Sequence, residues 1–91
     1  MITELKAALP EATVERSYDH SVWLEFNHKG AEYQLFDHWN FGANIGEGDR
    51  ERYWLTRYTS SREAAHSTGG EDHSEITGKF ASPAEAFATL K

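Results

Sequence analysis

The chain has 91 residues, no cysteine and a formal net charge of −6. A chain of this length builds one hydrophobic core rather than two, and the missing cysteine excludes disulfides, thiolate metal sites and a cysteine nucleophile. The acidic balance opposes the approach of a nucleic-acid backbone or an anionic membrane. We therefore expect a single domain over residues 1–91.

Neither a secretion signal nor a membrane span is expected from the sequence. Residues 1–6 lack a basic region followed by an apolar run. No stretch approaches the roughly 20 apolar residues that a membrane span requires. The absence of cysteine also fits a reducing compartment. We therefore expect a cytoplasmic protein without membrane attachment.

A short helix and a strand are predicted at the start of the chain. Thr3 is suited to cap the helix, and Leu5 and Leu9 recur on one of its faces. Pro10 forces the residue before it out of helical geometry, so the helix ends there. Alternation of residue types over residues 13–18 then indicates a strand.

The strongest local pattern is a hairpin formed by residues 21–26 and 31–36, joined by Asn27-His28-Lys29-Gly30. Asparagine at the first turn position and glycine at the fourth favour a type I turn with a glycine bulge. A loop of two residues or of four gives the same pairing parity, so the two faces of the hairpin are defined in either case. One face carries Val22, Leu24, Phe26, Ala31, Tyr33 and Leu35, and the other carries Trp23, Glu25, Glu32, Gln34 and Phe36.

The second half of the chain predicts two further strands, over residues 52–59 and 75–80. A glycine-rich connection at residues 40–49 precedes the first of them. Residues 60–63 resemble a capping box that opens one helical turn at residues 64–66, and residues 67–72 read as a loop.

The last element is a helix with a complete start signal. Ser82 is the cap, Pro83 stands at the first helical position and Glu85 at the third. The order of elements predicts an α+β two-layer sandwich, in which an antiparallel sheet of three to five strands carries the N-terminal and C-terminal helices on one face. The other sheet face is then left without an obvious cover.

This second face holds the candidate binding site, because aromatic and charged residues alternate onto it. Such a composition is typical of protein-binding surfaces, where tryptophan, tyrosine and arginine act as anchors. Two alternatives stay open: residues 40–49 fold over the rings, or Glu25 and Glu32 only pair with Arg52 across the strands. The predicted partner-binding residues are Trp23, Glu25, Phe36, Arg52, Trp54 and Tyr58.

The leading hypothesis is a non-enzymatic protein–protein interaction domain. Its size and charge resemble in type, though not in residues, small acidic inhibitors, antagonists and immunity proteins that bind a larger, basic protein. Self-association through the same face is an alternative. A second alternative is single-stranded nucleic-acid binding through the stripe from Arg50 to Tyr58, which the net charge of −6 opposes.

Catalysis and metal binding find little support in the sequence. There is no Gly-x-Ser-x-Gly elbow, and no carboxylate pair has a reason to be buried, so we expect no enzyme and no cofactor. The glycines of residues 42–48 lack the lysine of a phosphate loop. A small metal site remains a weaker alternative, and its ligands would be His66, Asp72, His73 and Glu75.

Overall fold

The computed structural model describes residues 1–17, 23–38, 51–60, 63 and 73–91. Its elements are α1 (Ile2–Ala8), β1 (Thr13–Ser17), β2 (Trp23–His28), β3 (Ala31–Asp37), β4 (Tyr53–Tyr58), β5 (Ser74–Phe80) and α2 (Pro83–Ala88). The five strands form one antiparallel sheet in the order β1-β2-β3-β4-β5, so neighbours in the sheet are also neighbours along the chain. The predicted α+β fold is confirmed. The glycine-rich connection and the helical turn at residues 64–66 lie outside the described residues.

Both helices cover the same face of the sheet, as predicted. Leu5 of α1 and Phe87 of α2 are fully buried and belong to one cluster with the sheet residues Leu24, Phe26 and Leu35. The ring of Phe87 meets that of Phe26 edge to face at 5.4 Å. Full burial of such a side chain contributes about 1.5–3 kcal/mol. No helix among the described residues is long and apolar enough to cross a membrane.

The two helices begin differently. Helix α2 has the predicted Ser82 cap: the backbone N–H of Glu85 donates to Ser82 Oγ at 3.3 Å, and Ser82 Oγ donates to Glu85 Oε2 at 3.2 Å. Helix α1 begins at Ile2 with Met1 at the cap position and no side-chain cap bond, so the prediction that Thr3 caps it is wrong. Thr3 lies inside the helix, because the helix starts one residue before it.

The β2–β3 turn has the shorter of the two loop lengths that the sequence allows, but its type differs from the prediction. His28 pairs with Ala31, which leaves only Lys29 and Gly30 in the loop, with φ of 50° and 80°. Two positive φ values define a type I′ turn, whose twist matches that of the strands. The predicted type I turn with a bulge is therefore wrong. Glycine adopts such a φ without the cost that Lys29 meets through its Cβ.

The predicted pairing parity of the hairpin is confirmed by the strand pairs. The change of turn type does not affect it, because both turns give the same parity. Trp23 pairs with Phe36 and Leu24 with Leu35. We call the helix-covered side of the sheet the inner face; its buried centre is Leu24, Phe26, Leu35 and Leu55. We call the opposite side the outer face; its residues include Trp23, Glu25, Phe36, Trp54, Thr56, Tyr58 and Lys79. Val22 lies outside the described residues.

Candidate functional site

One row of side chains crosses four strands at a single level of the outer face. Trp23 on β2 lies opposite Phe36 on β3, Phe36 lies opposite Trp54 on β4, and Trp54 lies opposite Lys79 on β5. Directly opposite residues of antiparallel strands point to the same face, with Cβ atoms about 4.5–5.5 Å apart. Strand pairing therefore places these four side chains next to one another. We call this set the aromatic row.

The rings of the aromatic row contact one another and one further ring. Trp23 and Phe36 meet edge to face, with centroids 5.8 Å apart and planes at 64°. The ring of His38, just after β3, lies 4.7 Å from Phe36 and stacks on Trp54 at 3.7 Å. Offset-stacked and edge-to-face pairs are the favoured arrangements of aromatic rings. The row is thus a set of mutually positioned rings.

Trp54 is held on several sides. Its Nε1–H donates to the carbonyl oxygen of Glu51 at 2.7 Å. The Nζ of Lys79 lies 3.9 Å from its ring centroid, a distance at which a cation is attracted to the ring. His38 follows β3 and Lys79 belongs to β5, so the two come from strands on either side of β4. The orientation of the indole is therefore fixed by polar and ring contacts together.

The outer face is only partly exposed. Trp23, Phe36 and Trp54 are half-buried and Lys79 is exposed. Glu25 and Tyr58, by contrast, expose only 2% and 9% of their surface. The expectation of an uncovered face is therefore wrong at these two positions, which offer a partner almost no area. The alternative that residues 40–49 fold over the rings lies outside the described residues.

Arg52 does not join the aromatic row. Its guanidinium donates two hydrogen bonds to Asp37, which is paired with Tyr53 and is 1% exposed. The carbon at the centre of that guanidinium lies 5.0 Å from the centroid of the Tyr53 ring. Alternation placed Arg52 on the outer face, but it precedes the first residue of β4, where strand geometry no longer fixes the side-chain direction. The predicted placement is therefore wrong.

This placement also bears on the nucleic-acid alternative. That alternative needs the charges of Arg50 and Arg52 free to meet phosphates. The guanidinium of Arg52 is instead bound to a buried carboxylate, and Arg50 lies outside the described residues. Of the predicted stripe, Trp54 is half-buried and Tyr58 is buried.

Sequence reasoning missed two members of the site, Lys79 and His38. Alternation continued two residues beyond Phe36 would have found His38. Lys79 could not be placed in the same way, because β5 carries one extra residue: Leu55 pairs with Gly78 but Thr56 pairs with Ile76, which leaves Thr77 as a bulge. A bulge changes which residues share a face, and nothing local in the sequence marks it.

The predicted metal ligands are not brought together in the part of the chain that the structure describes. There, no group of three or more histidine or acidic side chains could hold an ion. His66 and Asp72 lie outside the described residues. The Nδ1 of His73 lies 2.5 Å from Ser60 Oγ, and the carbonyl oxygen of His73 accepts the N–H of Thr59 at 2.8 Å. These contacts join the end of β4 to the start of β5.

Comparison with known proteins does not assign the chain to a family. It matches no family model. It also matches no curated protein and no solved structure. A functional proposal therefore rests on the aromatic row, its contacts and the charge of the chain.

Proposed function

We propose that this chain is a non-enzymatic interaction domain that binds a larger protein through the aromatic row. The observation that carries the proposal is the arrangement of Trp23, Phe36 and Trp54, three half-buried rings at one level of the sheet face away from both helices. Aromatic residues are enriched at the centres of protein interfaces and supply most of the binding energy there.

The rings of the aromatic row are already held in place in the free domain, which favours binding. A side chain that is fixed only on association costs about 0.5–1.5 kcal/mol of conformational free energy. Trp54 is already held by the Glu51 carbonyl and by the ring of His38, and Trp23 already packs against Phe36. Much of the conformational free energy needed to fix these side chains is therefore already spent when the domain folds. Such a row is suited to act as a rigid anchor.

The charge of the chain favours a basic partner. A formal charge of −6 on 91 residues attracts a cationic surface at long range and speeds its encounter. A small acidic domain that covers a basic surface acts as an inhibitor or an immunity-type protein when that surface is a functional site. We propose this form of the function as the first to test.

The experiment is capture of the partner from an extract of the source cells, identification by mass spectrometry, and titration calorimetry with the purified partner. Trp23→Ala and Trp54→Ala should each weaken binding at least tenfold, or about 1.4 kcal/mol. Val14→Ala is the matched control, because Val14 is exposed and apolar but lies on β1, outside the row. It should leave the affinity unchanged.

Circular dichroism and urea unfolding establish that the variants fold. If both tryptophan variants are folded and bind the partner as tightly as the wild type, the aromatic row is not the binding surface. Light scattering on the isolated chain tests a second copy as the partner. A dimer that dissociates in Trp54→Ala assigns the row to self-association.

A further inference from the structure

We propose that Lys79 occupies, on the ring of Trp54, the position that an arginine side chain of the partner takes in the complex. This inference rests on the proposed function and names the chemistry that the row recognises. The ammonium lies 3.9 Å from the ring centroid. The chain's own lysine thus marks a cation subsite, and it leaves that subsite when the partner binds.

The ring of this subsite is fixed and its present cation is movable. Trp54 is held by the hydrogen bond to the Glu51 carbonyl and by the stacked ring of His38. Lys79 lies on an edge strand and is exposed, and its ammonium is carried by a flexible four-carbon stem. A lysine contact with a ring that is open to water on one side is weak. The ammonium can therefore move into water without disturbing the sheet.

Arginine is the cation best able to replace it. A guanidinium is planar, stacks on aromatic faces and is less strongly hydrated than an ammonium, so it loses less on leaving water. The net charge of −6 draws such a side chain toward the domain. While Lys79 stays on the ring, it both fills the subsite and repels an incoming cation. Lys79 therefore limits the affinity of the row for basic partners.

The test uses a defined probe, an acetylated and amidated Gly-Arg-Gly-Arg-Gly peptide, titrated into the full chain in 0.1 M NaCl. The readout is the NMR signal of the Trp54 indole N–H, assigned by its loss in Trp54→Phe. Removing Lys79 in Lys79→Met should tighten peptide binding about two- to fivefold, the range that a freed exposed cation–π contact supplies. Lys79→Arg, which keeps a cation on the ring, should not tighten it.

Lys6→Met is the matched control, because Lys6 is exposed on α1 and its loss changes the net charge equally. If Lys79→Met and Lys6→Met tighten peptide binding to the same degree, only overall charge matters and the subsite is refuted. A titration that leaves the Trp54 signal unmoved also refutes it.

The purified partner separates this inference from the proposed function. If Trp54→Ala abolishes binding of the partner and Lys79→Met leaves it unchanged, the interaction domain stands and the arginine subsite fails. If Lys79→Met tightens partner binding and Lys6→Met does not, the subsite is supported. Unchanged partner binding in both Trp23→Ala and Trp54→Ala removes the proposed function itself.

Discussion

Arg52 donates two parallel hydrogen bonds to the buried carboxylate of Asp37, 2.9 Å from Nε to Oδ1 and 2.8 Å from Nη2 to Oδ2. The side chain of Asp37 is 1% exposed and that of Arg52 is 33% exposed. The backbone N–H of His38 also donates to the Arg52 carbonyl at 3.0 Å. This pair closes the end of the β3–β4 ladder, next to the level of Phe36 and Trp54. It therefore supports one end of the aromatic row.

Removing the arginine should destabilise the domain. Arg52→Ala leaves the buried carboxylate of Asp37 without two charge-assisted hydrogen bonds, which we expect to lower the free energy of unfolding by about 2 kcal/mol. Arg57→Ala is the control, because Arg57 is exposed on β4 and carries the same charge. It should change stability by no more than about 0.5 kcal/mol. Urea unfolding measures both stabilities. Equal losses in the two variants would show that the two hydrogen bonds from Arg52 to Asp37 add nothing beyond the charge of the arginine.

The ring of Phe80 lies across Gly78. A Cβ built at position 78 would come within 2.5 Å of Phe80 Cζ and 2.7 Å of Cε2. Gly78 pairs with Leu55, and Phe80 packs against the core cluster beside it. A side chain at position 78 would therefore displace the Phe80 ring; the constraint is one of space, since the φ of Gly78 does not lie in the left-handed region.

Gly78→Ala should lower the free energy of unfolding by about 1–2 kcal/mol, because Phe80 must leave its position to avoid the methyl group. Thermal unfolding of Gly78→Ala, Phe80→Leu and the double variant forms the cycle that tests the contact. The smaller leucine should relieve the clash. The double variant should therefore lose less stability than the sum of the losses in the two single variants. Strictly additive losses would contradict the proposed overlap.

The fold was predictable where local patterns determine structure. Alternation over the hairpin fixed which residues share a face, and that parity holds for either loop length. The cap residue Ser82, followed by Pro83 and Glu85, identified α2, because the cap bonds involve residues only three apart. The type I′ turn was missed because Lys29 adopts a positive φ that its residue type disfavours.

The candidate site was less predictable because its members depend on distant contacts. The Thr77 bulge decides that Lys79 faces Trp54, and the register of β4 with β5 is set by packing rather than by neighbouring residues. The guanidinium of Arg52 binds Asp37 instead of lying on the outer face, and alternation does not predict this interaction. Burial of Glu25 depends likewise on tertiary packing, which no period in the sequence reveals.

Tyr53 should make the domain sensitive to alkaline pH. Burial raises the pKa of its phenol above the ordinary value of 10.0, and the nearby carboxylate of Asp37 raises it further, against an opposing effect of Arg52. The folded state thus favours the neutral phenol. The stability that this group supplies is fully present below pH 10.0 and is lost as the pH rises through the folded pKa.

We therefore expect Tyr53→Phe, which cannot ionise, to lose less stability than the wild type between pH 8 and roughly pH 11. Urea unfolding at both pH values gives the comparison, since every other titrating group is common to the two proteins. The difference in absorbance at 295 nm between them follows phenolate formation at Tyr53. Parallel losses of stability in the two proteins would contradict the assignment.

His28 should be replaceable by an apolar residue at a gain in stability. It ends β2 on the inner face and is 7% exposed, and neither ring nitrogen has a hydrogen-bond partner among the described residues. A buried polar atom without a partner costs about 1–3 kcal/mol. His28→Leu should therefore raise the free energy of unfolding by about 1 kcal/mol, whereas His28→Ala should lower it because packing is lost. The urea midpoints of the two variants and the wild type measure these changes. A loss of stability in His28→Leu would mean that the imidazole makes a favourable polar contact.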